Sequence, residues 1–296
     1  MGTYIASVKY LWEIIEDIAD QLIATGDWTD ADATWTTAVK TAENARRALV
    51  HTADGVYLSL IMENGAQSNG GIYWKGLVII FSSGWNAGAH TPDGTKYYTF
   101  VPFEVSTVTI NADLTLFNLD YRLFTSVAGF ALVVTPQPNA TDNQQGSCIA
   151  VVERNVSKLY ADAFTNFYIF VDGNFIRGEL NTSSTVSALF GVNYKWWKYS
   201  RPFTLQSQTG WEGTYAALAS RADGKAYFAR PILHNDASNL SPIFQADMFI
   251  TADNTRAIND DDEIALPGPS TEKYQITIKQ SPDSAAYMQY GIKKAE

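Results

Sequence analysis

The sequence predicts a mainly β protein: an α-helical hairpin over residues 1–52, then an antiparallel β-sandwich body of one or two sandwiches over 53–296. Three observations carry that reading. Ahead of Val56, apolar residues recur every three or four positions, which lines up one face of a helix. From Val56 onward, runs rich in Val, Ile, Tyr, Phe and Thr are separated by Asp-Gly and Asn-Gly pairs, the residues that tight hairpin turns favour. Among those runs, Leu77-Val78-Ile79-Ile80-Phe81 does not alternate, as expected of a central strand covered on both faces.

The elements follow in order. Ile5, Val8, Leu11, Trp12, Ile15, Ile18, Ala19 and Leu22 share a helical face, and Thr25-Gly26-Asp27 ends that helix. Thr29 with Asp32 three positions later reads as a capping box opening a second helix. Its apolar face is Trp35, Ala38, Val39, Ala42, Ala45 and Leu49, with Arg46 and Arg47 near its C-terminus, where cations complement the helix dipole. A helix pair this short buries too little to fold alone, so its stripes are expected to pack on the β body, over Leu77–Phe81, or on another chain.

Strands are expected at Val56 to Glu63, Ile72 to Ser82, Tyr97 to Val105, Thr107 to Asn111, Thr115 to Phe124, Phe130 to Val134 and Cys148 to Arg154. Further ones follow at Phe167 to Val171, Phe175 to Leu180, Tyr199 to Leu205, Ala226 to Leu233, Phe244 to Thr251 and Tyr274 to Gln280. The pairs Asp54-Gly55, Asn64-Gly65, Asn69-Gly70, Asp93-Gly94, Asp172-Gly173 and Asp223-Gly224 read as turns. Pro136 to Ser147, poor in apolar residues, reads as an exposed loop where an internal domain boundary could fall, and Asp253 to Pro269 as a second loop.

Composition narrows the function classes. A hydrophobic fraction of 46% supports a true core, and a formal net charge of −10 repels phosphate backbones, so nucleic acid is not an expected partner. Cys148 is the only cysteine, so no disulfide forms within the chain and a reducing compartment fits. Glu13, Glu16 and Asp17 interrupt the first apolar stretch, which therefore does not read as a secretory signal, and no run reaches membrane-spanning length. Synthesis in the cytoplasm without membrane insertion is the expectation.

No catalytic signature stands out and no cofactor is expected. Asp260, Asp261, Asp262 and Glu263 offer oxygen ligands for a cation, but without the spacing or glycine of a calcium loop they read first as a solvated acidic loop. His51, His90 and His234 have no histidine or cysteine neighbour at metal-binding spacing. Ser82-Ser83-Gly84 lacks the glycine-flanked elbow of a serine hydrolase. Two acids on separate strands, as a polysaccharide-degrading enzyme needs, would leave no sequence signature. Aromatic side chains offer more. Trp12, Trp35, Trp196 and Trp197 are candidates for a subunit interface or for stacking on a glycan, and the last two lie in a run, Tyr194 to Tyr199, interleaved with Lys195 and Lys198.

Several short words of the first hundred or so residues resemble the opening of tailed-bacteriophage virion proteins. They are Trp12 through Leu22, Gly26-Asp27-Trp28-Thr29-Asp30-Ala31-Asp32, Trp35-Thr36-Thr37, Ala45-Arg46-Arg47-Ala48-Leu49 and Tyr57-Leu58-Ser59-Leu60, continued by Lys75-Gly76-Leu77, Phe81-Ser82-Ser83-Gly84-Trp85-Asn86 and His90-Thr91-Pro92-Asp93-Gly94-Thr95. The resemblance implies a structural component of the virion, in tail, tail tip, baseplate or neck, made in the host cytoplasm. Its partners would be copies of itself and other virion proteins, and it carries over no enzymatic residues. The competing expectations are a receptor-binding protein that recognises a host-surface glycan and, third, the polysaccharide-degrading enzyme.

Overall fold

The computed structural model describes residues 2–38, 45–69, 72–106, 118–135, 148–154, 165–172, 185–191, 197–200, 228–230, 232–234, 242–245, 247–252, 261–265, 272–280 and 287–295. It is mainly β, as expected. The elements are β1 (Thr3–Tyr10), α1 (Leu11–Ala24), β2 (Trp28–Asp30), α2 (Ala33–Ala38), β3 (Arg46–His51), β4 (Val56–Asn69), β5 (Ile72–Asn86), β6 (Thr91–Ser106), β7 (Asn118–Ser126), β8 (Gly129–Thr135) and β9 (Cys148–Arg154). They continue with β10 (Thr165–Asp172), β11 (Thr185–Gly191), β12 (Trp197–Ser200), β13 (Phe228–Ala229), β14 (Ile232–His234), β15 (Pro242–Gln245), β16 (Phe249–Ala252), β17 (Glu263–Ala265), β18 (Lys273–Gln280) and β19 (Tyr287–Ala295).

Three antiparallel sheets stack as layers. The nine-stranded middle sheet runs β1-β7-β8-β9-β10-β11-β12-β14-β15, with β2-β3-β4-β5-β6 on one side and β13-β16-β19-β18-β17 on the other. Strand alternation sorts the middle sheet's side chains between two cores. Tyr121, Leu123, Phe130, Leu132, Val134, Ala150 and Val152 face Leu58, Leu60, Leu77, Ile79 and Phe81 of the β2–β6 sheet. Their alternates Phe124, Ala131, Val133, Ile149 and Val151 face Phe249, Tyr290 and Ile292 of the third sheet. The body is therefore two sandwiches sharing one sheet.

The helical hairpin is corrected. Its first helix is α1, whose Ile14, Ile15, Ile18 and Leu22 are fully or almost fully buried in the first core. Ile5 and Val8 precede it in β1, where their odd spacing sends them to opposite faces and leaves Val8 54% exposed. The described part of the second helix is the six residues of α2, residues 39–44 with Val39 and Ala42 lie outside the described ones, and Arg46–His51 form a strand. Threonines 34, 36 and 37 are poor helix formers, whereas pairing from Arg46↔Ile61 to His51↔Val56 satisfies the backbone and buries Leu49. Thr29 lies in β2 and caps nothing; Asp32 is itself the cap, its Oδ1 accepting the Trp35 N–H at 3.1 Å.

Other expectations are met or amended strand by strand. Cys148–Arg154 has the expected bounds, and β8 pairs directly with β9 from Gly129↔Glu153 to Val134↔Cys148. Residues 136–147 between them, where an internal boundary was expected, lie outside the described ones. Asp54-Gly55 makes the β3–β4 turn, Gly55 having φ +63°. Asp93-Gly94 instead sits inside β6 beside a register shift between Ser82 and Gly84, the turn lying at residues 87–90. Gly94 has φ +68° there, a glycine at a bulge. Asn64-Gly65 likewise falls in a register shift within β4. β5 buries Leu77, Ile79 and Phe81 on one face but leaves Val78 and Ile80 half-buried on the other, whereas among the described residues β7 (from Tyr121), β8 and β9 are buried on both faces. Strands expected at Thr107–Asn111 and Phe175–Leu180 lie outside the described residues, as do the Asp172-Gly173 and Asp223-Gly224 glycines.

Candidate functional site

One polar constellation gathers on Asp32, a carboxylate 8% exposed at the start of α2. Besides capping the helix, it accepts the Trp85 indole N–H from the end of β5 at 3.1 Å and meets His90 Nδ1 from the β5–β6 turn at 2.7 Å. Burial pushes this carboxyl up, but the bonds from His90, the Trp35 N–H and Trp85 outweigh it and hold the carboxyl below its ordinary range. His90 takes an uncommon backbone conformation, φ +54°, and keeps its side chain 41% exposed. The pairing turns Nδ1 inward and so orients the ring.

Trp35 closes the site. Its ring lies parallel to the His90 imidazole at 6.4 Å, tilts against Trp85 at 5.1 Å and carries the Arg46 guanidinium 5.0 Å from its centroid. With the ring so covered and the residue 6% exposed, Trp35 cannot serve as a stacking platform for a sugar. Chemically, the constellation is an oriented imidazole on a buried carboxylate, packed among indoles.

A second histidine is built differently. His51 is 1% exposed between Trp28 and Phe167, with ring centroids at 5.0 and 5.3 Å, and its Nδ1 lies 2.9 Å from Asp54 Oδ2. Arg154 of β9 holds the same Asp54 at 2.7 and 3.1 Å, tying the β3–β4 turn to the middle sheet. Burial pushes the imidazole down, Asp54 pulls it up, and Arg154 adds to the lowering.

The remaining candidates scatter. Trp12 is half-buried, stacked on Tyr10 at 6.3 Å. Trp197 is in β12 opposite Val186, its side chain not described, and Trp196 lies outside the described residues. Of the acidic run, Asp261 pairs with Arg122, Glu263 pairs with Lys273 at 2.7 Å and Lys294 at 2.9 Å, the Asp262 carbonyl accepts the Ile276 N–H, and Asp260 is not described. Among the described residues no cluster of three or more His, Cys, Asp or Glu side chains could hold a metal.

Several groups of consequence left no trace in the sequence. Arg47, read as a helix-end cation, is a buried strand residue whose guanidinium meets Glu16 at 2.7 Å and Asp20 at 3.2 Å on α1 and Asp30 at 2.9 Å on β2. Lys293 and Arg230 both hold Asp247 and Glu272, and Glu153 accepts the Asp247 and Met248 N–H groups. Asp32 and His90 stand 58 positions apart, beyond any local signal, whereas His51 and Asp54 at i,i+3 were within reach of a turn reading.

Comparison of the chain with protein-family models, with curated proteins and with solved structures finds no match among them.

Proposed function

We propose that the chain is a structural component of a tailed-phage virion, in tail, baseplate or neck, which assembles through protein–protein contacts. The observation that carries the reading is the use made of charge. Arg47, Arg122, Arg154 and Lys293 each tie one element to another through carboxylates or carbonyl groups, so the ionised side chains fix geometry. An enzyme that cleaves polysaccharides keeps paired acids open to substrate; here Asp247 and Glu272 are shared between Arg230 and Lys293. The covered ring of Trp35 weighs against a glycan platform at that residue. The resemblance of the short words to virion proteins supplies the phage context, and the net charge of −10 favours contact with basic surfaces of neighbouring proteins.

Immunogold electron microscopy of purified phage particles, with quantitative mass spectrometry of their proteins, tests the reading. It predicts a fixed copy number at one position on the particle. Absence from washed particles, or release of reducing ends from host wall by the purified chain, would overturn it.

A further inference from the structure

The sheet ends differ in how they are protected. An unpaired strand edge invites another chain unless it is short, bent or broken by proline. β2, β13 and β17 have three, two and three residues, and β15 has four and begins with Pro242. β6 is long but contains Pro92 and Pro102 and has two register shifts against β5. β1 has none of these devices: its eight residues pair with β7 in unbroken register from Thr3↔Thr125 to Tyr10↔Asn118, and it contains no proline. Its centre also carries Val8, the most exposed large hydrophobic side chain among the described residues at 54%.

We propose that the edge of β1, which no strand among the described residues covers, pairs antiparallel with β1 of a second copy, joining two middle sheets across a two-fold axis at Ala6. This rests on the assembling role proposed above and names the surface that performs it. A two-fold normal to a sheet preserves its faces, and residues opposite one another in an antiparallel pair share a face. Partners must then have the same parity. Pairing about Ala6 sets Val8 against Tyr4 of the second copy, an aromatic–β-branched pair, on the face where Ala6 and Val8 are exposed. It sets Ile5 against Ser7, and Lys9, the only charged residue of the strand, against Thr3. Lys9 already bonds Asp17 of its own α1 at 2.7 Å, so no like charges meet across the axis. The strand is complementary to its own reverse, which is why a second copy is the occupant.

Sedimentation of the wild-type chain, Val8→Lys and Ala6→Cys tests this. The wild type should dimerise. Val8→Lys, at an exposed site beside Asp120, should fold with an unchanged melt and raise the dimer dissociation constant at least tenfold, because an edge lysine blocks pairing. Ala6→Cys should give a covalent dimer on mild oxidation that the wild type, with Cys148 alone, does not, since directly opposed residues lie within disulfide reach. A wild-type oligomer that survives Val8→Lys without Ala6→Cys crosslinking would overturn the β1 edge while leaving the assembling role intact. A monomer that is also absent from phage particles would overturn both.

Discussion

On the side facing β2–β6, the middle sheet meets a deep apolar layer thickened by α1; on the side facing the β13-β16-β19-β18-β17 sheet, it meets a smaller apolar patch bordered by charge. Arg122 reaches across that second interface to the Ile276 carbonyl at 3.2 Å, to Thr277 Oγ1 at 2.7 Å and to Asp261. Glu153, 2% exposed, reaches across it to the N–H groups of Asp247 and Met248. The first interface gains most of its stability from area removed from water, which charge screening does not weaken, with Arg154–Asp54 and His51 as a polar border to it. The second depends on ionised groups whose protonation and screening can be changed, so one molecule holds its two outer layers by different forces.

The largest expected effect is a cavity in the first core. Phe130 is fully buried between the layers, and Phe130→Ala should cost about 3–5 kcal/mol, a large part of the roughly 5–15 kcal/mol of a typical fold. Urea unfolding measures it, and a loss below about 1 kcal/mol would mean that the layer is not packed as described.

Next comes the ionic side. Lys293→Met leaves Asp247 and Glu272 with Arg230 as their remaining cation and should cost about 1–3 kcal/mol, less than a fully buried pair because both acids keep some solvent exposure. Raising salt from about 0.1 to about 1 M shortens screening from about 10 to about 3 Å, so amide exchange in β16, β18 and β19 should accelerate before that in β4 and β8. Equal acceleration in all three layers would erase the distinction between them.

How much of this was legible follows from the range of the forces. Turn chemistry is local, and Asp54-Gly55 was read correctly. The β9 bounds were readable because an unbroken apolar run ends at Glu153 and Arg154. Helical spacing misled at Ile5 and Val8 and again at Ala45 and Leu49, because apolar residues three or four apart also fit a strand once a partner strand satisfies the backbone. β5 and β8 are both apolar runs; only assembly decides that β8 is covered on both sides. The Asp32 site was least visible, since its members come from α2, β5 and the β5–β6 turn and meet only after β3, β4 and β5 have paired.

A smaller effect separates the first interface from the acidic groups by pH. Burial, the largest influence, holds His51 below its ordinary 6.5, so the unfolded chain takes up a proton near pH 6.5 that the folded chain refuses. Stability should be full above about pH 6.5 and fall as the pH drops below it, whereas the contribution of Asp32 persists until about pH 3.8 and is lost below. His51→Phe, placed among Trp28 and Phe167, should flatten the melting temperature between pH 7 and pH 5 to within about 1 °C. An unchanged slope in that variant would assign the loss to other groups.

The smallest effect lies at the outer fringe of the ionic side. Hydrogen bonds from Lys273 and then Lys294 push Glu263 from its ordinary 4.5 down to about 2, so its contribution is present above about pH 4.5 and is lost as the pH falls from there toward 2, below the range in which His51 takes effect. Its side chain is nonetheless 35% exposed, against the buried carboxylate of Glu153, and a solvated pair contributes little even when well formed. Glu263→Gln should therefore leave the melting temperature at neutral pH almost unmoved, and so should millimolar calcium, because Asp261 and Glu263 are already engaged by Arg122, Lys273 and Lys294. A calcium-dependent rise would mean that the cation displaces those side chains, and the third sheet would then be fastened to the middle one through a metal-sensitive edge where Arg122 now reaches Asp261.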